Sequence, residues 1–263
     1  MRIDYSAAID IGPKETNDDR VLVDGAVLDV AFLSGTIETP TTVAVCDGCG
    51  GYAGGGIAAE TVLEFLSYEH AGDLLDVNYL SQVLQNCEKM IQEKKAEIPR
   101  YREMCTTIAG CVFCEDSVVI FHSGDSRVYR NDRWGIARMT RDHSIVQDMV
   151  DSGQITPEEA RSNPRRNVIN RCLGINGPLP EIYVSHTPIM PGEKYLLCSD
   201  GLWESVSDAA IQEILNADIP LPQMAEALLN RALAQGAEDN ISICICSVEG
   251  QICKEEQKAF VLD

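Results

Sequence analysis

Acidic residues stand at the ends of predicted strands, and they are the strongest chemical signal in the sequence. Asp47, for example, ends a strand in VAVCDGCGG, and Asp200 follows one in YLLCSDG. Gathering several carboxylates costs about 1–4 kcal/mol per close pair near a protein surface, and a bound cation removes that cost. Because Mg²⁺ and Mn²⁺ prefer oxygen ligands, the pattern predicts a divalent metal centre, although aspartate is also a common turn residue. The acids concerned are Asp18, Asp19, Asp47, Asp125, Asp200 and Asp239.

A glycine-rich segment follows Asp47 and precedes a predicted helix. Gly48, Gly50 and Ala53 match the G-x-G-x-x-[GA] pattern of dinucleotide-binding folds. Two features argue against that function. Asp47 would repel a pyrophosphate, and the next predicted element is a second helix rather than the strand that a βαβ unit requires. The glycines are therefore predicted to allow a sharp turn that offers a backbone carbonyl to a metal.

Cysteine and histidine patterns do not predict a metal site. Cys46 and Cys49 form one C-x-x-C pair, and Cys111 and Cys114 form another, which could indicate zinc or redox chemistry. Residues three apart on a strand point to opposite faces, so the pairs are interpreted as core or incidental thiols. None of the eleven cysteines has Arg six residues on, and the four histidines show no ligand spacing.

Composition and charge limit the classes of partner. The chain has 263 residues, 45% hydrophobic and 24% charged, with a net charge of -20, which opposes nonspecific binding to nucleic acid or anionic membranes. No apolar run is long enough to span a bilayer. The first residues do not resemble a secretory signal, so the cysteines are expected to be reduced and the protein cytoplasmic. Residues 127–171 hold nine Arg and six acids, which indicates either a solvated patch or a surface that meets an anion.

Hydrophobic periodicity predicts the elements that must position these residues. Helices are predicted at 57–68, 79–95 and 223–234, and residues 34–42 are predicted to form a turn. Strands in hairpins and helices in pairs favour an α+β fold over βαβ winding. Glu115 and Asp116 mark one such hairpin. Strands are predicted at 6–11, 43–46, 106–113, 117–122, 127–130, 182–186, 194–198 and 241–248.

The order of the motifs resembles the metal-dependent, type 2C (PPM) family of serine/threonine protein phosphatases, of the bacterial stand-alone type. This resemblance implies one domain over residues 1–263, folded as a β-sandwich of two mainly antiparallel sheets flanked by helix pairs. It also implies a flap over about 143–172. The matching motifs, in order, are NDDR, DGCGG, Thr106–Thr107, SGDSR, TRDHS, DSGQITPEEA, NPRRNVINRCLG, CSDGLWE and EDNIS.

The resemblance also implies roles for the acids at the metal centre. Asp47 would bridge two ions, and the carbonyl of Gly48 would bind one of them. Asp200 and Asp239 would complete the other ion's ligands.

The remaining acids would serve the second ion and a third one. Asp18 would hold the second metal, directly or through water, and Asp19 would support a water at the metal. Asp125 would anchor a third, weaker ion. Asp19 and Asp47 are thus the predicted catalytic residues.

Two positions depart from the family pattern. Lys14 stands near the place where many members have a phosphate-binding Arg, and it is predicted to contact the substrate phosphate without the bidentate geometry of Arg. Cys49 stands where many eukaryotic members have His, and a thiol is a poor general acid. Cys49 is therefore not predicted to be catalytic.

The implied activity is hydrolysis of phosphoserine and phosphothreonine in proteins, dependent on Mn²⁺ or Mg²⁺. Two ions would activate a bridging water, so no phosphoenzyme is expected. The implied partners are phosphorylated proteins and a Ser/Thr kinase with shared targets, with no nucleic acid and no membrane. Two alternatives remain at this stage: a regulatory or binding module with little catalysis, and a hydrolase of a small phosphoester.

Overall fold

Two six-stranded sheets form the centre of the computed structural model, which describes residues 1–29, 31–49, 54–184 and 188–249. The strands are β1 (Arg2–Asp10), β2 (Asp19–Val23), β3 (Ala26–Leu28), β4 (Ala31–Glu38), β5 (Thr41–Asp47), β6 (Ile108–Phe113), β7 (Val118–Ser123), β8 (Arg127–Asp132), β9 (Gly135–Arg138), β10 (Glu181–Val184), β11 (Lys194–Cys198) and β12 (Ile241–Glu249). The helices are α1 (Gly55–Tyr68), α2 (Val77–Glu97), α3 (Ile145–Asp151), α4 (Pro157–Arg161), α5 (Asp200–Trp203), α6 (Asp208–Leu215) and α7 (Leu221–Ala234).

Both sheets are antiparallel throughout the described residues. The first has the strand order β4-β1-β12-β11-β8-β9, and the second has the order β10-β7-β6-β5-β2-β3. Their facing sides form one apolar core, and each outer side carries a pair of helices, α1 with α2 on the second sheet and α6 with α7 on the first. The predicted α+β sandwich with flanking helix pairs is therefore confirmed.

Apolar side chains occupy both faces of each sheet. In β5, Val43 and Val45 belong to the core between the sheets, whereas Ala44 and Cys46 contact the outer helices. Successive side chains of a strand point to opposite faces, and here both faces are apolar because both are buried. The ends of the strands are consequently the places where polar side chains reach solvent.

Three local sequence signals correspond to the observed elements. The helical spacing of Leu80, Val83 and Leu84 places these side chains on the buried face of α2. Thr156 and Glu159 form the capping box that begins α4, and the sequence TPEE is typical of such a helix start. The Glu115–Asp116 turn joins β6 to β7 in the predicted antiparallel hairpin.

The prediction of a turn over residues 34–42 is wrong. Most of this segment belongs to β4, which pairs with β1 at the edge of the first sheet. Its Ser, Gly and Thr residues look turn-like, but Gly35 leaves room for the Tyr5 ring, which would lie 3.1 Å from an added Cβ. The pairing with β1 therefore decides the conformation, and the local composition does not.

Other boundaries and elements also differ from the predictions. Strands β2, β3 and β9 and helix α6 were not predicted, because they are short or carry a weak apolar pattern. The strand predicted at 182–186 is β10, and residues 185–187, with His186, lie outside the described residues. In the described part of the chain, no helix is both long and apolar enough to cross a membrane.

Candidate metal centre

Neighbouring strands of the second sheet place two carboxylates side by side. Asp19 begins β2 and Asp47 ends β5, and the two residues are direct antiparallel partners. Asp19 is fully buried, and Ser199 donates a hydrogen bond of 2.7 Å to its Oδ2. Its Oδ1 has no partner among the described residues. Burial raises the pKa of Asp19 to about 6, despite that hydrogen bond.

The first sheet contributes two further acids. Asp200 follows β11 and Asp239 precedes β12, and these strands pair antiparallel, with Cys198 opposite Ile243. Ser199 and Ser242 tie the two strand ends together, because the Ser242 amide donates to Ser199 Oγ at 3.0 Å. Asp200 Oδ1 is buried and, in the described part of the structure, lacks a hydrogen-bond partner.

The electrostatics show that these acids share one site. Burial raises the pKa of Asp47 well above its ordinary value, and the charges of Asp19, Asp200, Asp125 and Asp239 raise it further. Burial likewise raises the pKa of Asp200, with Asp125 as the largest charge contribution. Carboxylates from separate segments therefore repel one another across a common space.

The loop before β2 holds Asp18 at the edge of this site. Its carbonyl oxygen accepts from the Gly48 amide at 3.2 Å, and its Oδ1 accepts from the Gly56 amide at 3.1 Å. Asn240 fixes the same loop: its Oδ1 accepts from the Asp18 amide at 2.9 Å, and its Nδ2 donates to the carbonyl of Thr16. Sequence reasoning gave Asn240 no role, although it lies within the EDNIS motif.

Gly48 is required for close packing. A Cβ on Gly48 would lie 2.2 Å from the carbonyl carbon of Gly55 and 2.7 Å from the carbonyl oxygen of Asp18. Gly48 is not among the glycines with positive φ. The predicted reason for this glycine, a sharp turn, is therefore replaced by backbone-to-backbone contact at the start of α1.

We expect Gly48→Ala to lower metal-dependent activity roughly 10–100-fold, the range measured when groups that orient metal ligands are altered. The new methyl group would push apart three backbone segments that hold Asp18 and Asp47. Activity and manganese affinity, measured by calorimetry, check this expectation. Gly177→Ala is the matched control, since its added Cβ would lie 3.3 Å from a flexible Ile175 side chain. Equal activity in the two variants would contradict it.

Two threonines brace Asp47 from the neighbouring segment. The Asp47 amide donates to Thr107 Oγ1 at 3.1 Å, and the Asp47 carbonyl accepts from Thr106 Oγ1 at 2.9 Å. Thr107 Oγ1 also lies 2.6 Å from Ser126 Oγ. Since Ser126 follows Asp125, these hydroxyl groups connect Asp47 with Asp125.

Asp125 is the acid of the site whose pKa is affected by Asp142. Its side chain is buried, and burial together with the nearby charge of Asp142 raises its pKa to about 7. The indole Nε1 of Trp203 donates to its carbonyl oxygen at 3.0 Å.

A buried ion pair that includes Asp142 was missed in the sequence. Arg127 donates to Asp142 through Nε (2.9 Å) and Nη2 (2.6 Å), and its guanidinium lies 3.5 Å from the Trp203 ring centroid. The two partners lie in the quoted motifs SGDSR and TRDHS, but their spacing does not reveal the contact.

Of the nine arginines in residues 127–171, six form ion pairs: Arg127, Arg130, Arg138, Arg141, Arg166 and Arg171. Much of the local positive charge is thus neutralised within the protein.

Two buried histidines, one of them next to Asp142 in the chain, stack against each other. The rings of His122 and His143 are parallel with centroids 4.7 Å apart, and both are buried. His143 Nδ1 accepts from the Gly124 amide at 3.1 Å, while its Nε2 faces Arg171 and Glu181. Burial, with His122 and Arg171 adding to it, lowers the pKa of His143 to about 4.

We expect the protein to lose stability between pH 6.5 and pH 4, partly because His143 stays neutral in the fold while the unfolded chain takes up a proton. The loss attributable to His143 at pH 5 is at most about 2 kcal/mol. His143→Gln keeps an acceptor for the Gly124 amide, so the drop in unfolding free energy from pH 7 to pH 5 should be smaller in this variant, measured by denaturant titration. His70→Gln, at an exposed position, should behave as wild type. An equal drop in all three proteins would refute the assignment.

Lys14 lies at the open side of the carboxylates. Its Nζ is 2.9 Å from Asp239 Oδ2, and both side chains are about two-fifths exposed. The hydrogen bond to Asp239 raises the pKa of Lys14, and the charges of Asp200 and Asp47 add to this effect. A cation at this position is therefore available to an incoming anion.

The C-x-x-C pairs, interpreted from the sequence as core or incidental thiols, do not form sites as pairs. Cys46 is buried between the second sheet and its helices. The Cys49 thiol lies with those of Cys105 and Cys172, away from Cys46. The ten cysteines of the described residues are all free thiols.

The donor set fits hard divalent cations. It consists of carboxylates and backbone carbonyls, which are the ligands that Mg²⁺ and Mn²⁺ prefer. The buried, unpartnered oxygens of Asp19 and Asp200 are unfavourable without a partner. A cation would satisfy them and also offset the repulsion among the carboxylates.

Comparisons with known proteins agree with this arrangement. Residues 22–242 match the family model for protein phosphatase 2C. The serine/threonine phosphatase stp of Listeria innocua is 34% identical over 212 residues, which cover 77% of this chain and 82% of that protein.

Solved structures give the same result for the fold. The crystal structure of the Mycobacterium tuberculosis serine/threonine phosphatase PstP is 30% identical and superposes with a TM-score of 0.83, covering 95% of this chain and 100% of that one. The catalytic domain of PstP in complex with two manganese ions superposes with a TM-score of 0.80 at 30% identity and the same coverage. The chain therefore belongs to the protein phosphatase 2C family of serine/threonine phosphatases, which are hydrolases.

Proposed function

We propose that this protein removes phosphate from phosphoserine and phosphothreonine side chains of proteins, in a reaction that depends on Mn²⁺ or Mg²⁺. The observation that carries the proposal is the convergence of Asp19, Asp47, Asp200 and Asp239 from the ends of both sheets, with two buried carboxylate oxygens that lack partners. Membership of the family and the manganese-bound relative support it.

The ligand roles proposed for the acids are those that the resemblance to the family implies. Asp47 feels the charges of the acids from both sheets, so we assign it to both ions. Asp200 and Asp239 would hold one ion, and Asp18 with the Gly48 carbonyl would serve the other.

Asp125 is assigned to a third, more weakly held ion, as the resemblance implies, and its charge makes the largest charge contribution to the raised pKa of Asp200.

The chemistry of the reaction combines the cations with the chain's own groups. When bound, two such ions lower the pKa of water and neutralise charge on the phosphoryl oxygens. The chain fixes the carboxylates on two rigid sheets, and Asp19, held by Ser199, presents its free Oδ1 to orient a water. We expect the phosphoryl group to pass directly to water without a phosphoenzyme, because the bound ions rather than a protein nucleophile would neutralise the charge on the phosphoryl oxygens.

We expect Lys14→Met to raise KM for a phosphopeptide about 10-fold or more, the worth of one charge-assisted hydrogen bond, and to leave kcat less affected. Lys14 would exchange its contact with Asp239 for the phosphate when substrate binds. Steady-state kinetics over a range of phosphopeptide concentrations measure both constants. Lys94→Met on the distant helix α2 is the control. An unchanged KM would remove Lys14 from the substrate site.

The cellular setting completes the proposal. We infer a cytoplasmic protein that acts on the products of a Ser/Thr kinase, supported by the free thiols of the described residues and by the acidic net charge.

Residues 1–263 are proposed to form one phosphatase domain, in which residues 143–172, with α3 and α4, act as a flap beside the metal centre.

A metal titration of phosphopeptide hydrolysis tests the function. Activity is expected to rise with Mn²⁺ or Mg²⁺, to disappear with EDTA and to return when the metal is restored. Specificity constants for a phosphopeptide and for a small phosphoester distinguish a protein phosphatase from a small-molecule hydrolase. A folded protein without turnover at millimolar Mn²⁺ would instead support a regulatory module.

A further inference from the structure

Three cysteine thiols from separate parts of the chain meet beside the carboxylate centre. The sulfur atoms of Cys49, Cys105 and Cys172 lie within 4.8 Å of one another. Cys105 and Cys172 are buried, and Cys49 is partly buried. Neither C-x-x-C pair in the sequence predicts this cluster, because its three members are distant in the chain.

Backbone hydrogen bonds hold the three segments in place. The Cys49 amide donates to the Cys105 carbonyl at 3.0 Å, and the Cys105 thiol donates to the Cys49 carbonyl at 3.3 Å. Thr106 and Leu173, which follow Cys105 and Cys172, exchange backbone hydrogen bonds of 3.0 and 2.9 Å. The fold itself therefore brings the thiols together.

We propose that Cys49, Cys105 and Cys172 bind one thiophilic metal ion such as Zn²⁺ or Cd²⁺. Thiolates select such ions, whereas Mg²⁺ and Mn²⁺ prefer oxygen. Tetrahedral zinc with Zn–S bonds of about 2.3 Å requires sulfur atoms about 3.8 Å apart, which sulfur atoms within 4.8 Å of one another can reach with little movement. The fourth position would take water or an external thiol.

Solvent reaches the thiol cluster from one side. A surface groove lined by Lys95, Arg102, Gly174 and Ile175 reaches Cys105. The Glu88 carboxylate and Lys95 Nζ hold the amide and the carbonyl of Gly174, two residues after Cys172. The groove thus gives access, and the segment that carries Cys172 is fixed at its far end.

The cluster is joined to the carboxylate centre by short covalent and hydrogen-bonded links. Cys49 directly follows Gly48, and Thr106 Oγ1, next to Cys105, donates to the Asp47 carbonyl at 2.9 Å. Closing the thiols around an ion would shift the Asp47–Gly48 turn. Occupancy of the thiol site is therefore expected to lower phosphatase activity, a consequence that rests on the proposed function.

Cadmium binding tests the site without any activity measurement. Cd²⁺ is titrated into the full chain with Mg²⁺ in excess, and the ultraviolet thiolate-to-cadmium charge-transfer band is recorded. We expect a band that saturates at one equivalent in wild type, is lost in Cys105→Ser and Cys172→Ser, and persists in Cys114→Ser. Circular dichroism confirms that each variant is folded, and X-ray absorption of the wild-type complex should count three sulfur ligands. No saturating band in wild type, or an undiminished band in both serine variants, would overturn the proposal.

Zinc inhibition tests the link to the carboxylate centre. With saturating Mn²⁺, one equivalent of Zn²⁺ should lower wild-type turnover about 10-fold or more, as altered support of metal ligands does, while Cys172→Ser should resist. Equal inhibition of both proteins would place the inhibitory zinc at the carboxylates and refute the link. An inactive but cadmium-binding protein would fail the proposed function and leave the thiol site supported.

Discussion

Replacing Asp47 with asparagine is expected to abolish activity and, at the same time, to stabilise the metal-free protein. Activity should fall more than about 100-fold, since loss of groups that merely support metal ligands already costs about 10–100-fold. Without metal, Asp47 is crowded by Asp19 and Asp200, and removing its charge relieves repulsion worth on the order of 1–4 kcal/mol. Phosphopeptide hydrolysis and thermal unfolding of the metal-free protein measure the two effects.

A loss of activity combined with a gain in metal-free stability would be specific to a metal centre. Mn²⁺ should raise the unfolding midpoint of wild type, because it binds the folded state, and should raise that of Asp47→Asn much less. Asp76→Asn is the matched control, since Asp76 caps α2 and asparagine caps equally well. Full activity of Asp47→Asn, or a less stable metal-free variant, would show that Asp47 has a structural role instead.

Replacing Arg127 with methionine is expected to destabilise the protein by about 3–5 kcal/mol, the cost of leaving one partner of a buried ion pair alone. The side chains of Arg127 and Asp142 are 8% and 7% exposed, so solvent cannot replace the lost contact. Arg138, at 3.2 Å from Asp142 Oδ2, compensates only in part because it makes a single contact. Denaturant unfolding followed by circular dichroism measures the change.

A double variant separates the ion pair from simple packing. Arg127→Met combined with Asp142→Leu removes both charges of the buried pair and leaves only the partly exposed Arg138 without its contact, so it should recover much of the lost stability. Arg133→Met, at an exposed position, is the control and should change stability by less than about 0.5 kcal/mol. If Arg127→Met unfolds like the control, the buried pair does not stabilise the fold.

The metal centre could be predicted from sequence because its signal is local. An acid directly after a run of apolar residues, such as Asp47 or Asp200, is recognisable without knowing its neighbours, and so is the apolar stripe of α2. The order of these motifs along the chain was sufficient to predict the family. Each of these features depends on residues within about ten positions of one another, so periodicity and turn chemistry reveal them.

The tertiary structure alone decided which of these local features meet. The pairing of β2 with β5 places Asp19 opposite Asp47, and the pairing of β11 with β12 brings Asp200 to Asp239. Strand order depends on how two complete sheets bury their apolar faces, which no short window of sequence contains. Edge strand β4 was missed for the same reason, because its pairing with β1 outweighs its turn-like residues.

The same distinction applies to the side chains that support the centre. Both partners of the Arg127–Asp142 ion pair lie in recognisable motifs, but the contact exists only once β8 and the segment before α3 are packed together. The thiols of Cys49, Cys105 and Cys172 meet in the same way, although the C-x-x-C spacing pairs Cys49 with Cys46 instead. Sequence thus determined the types of residue and their places on strands and helices. The folded chain determined their neighbours, because charge pairing and ligand geometry act over a few ångströms between segments that are far apart in the chain.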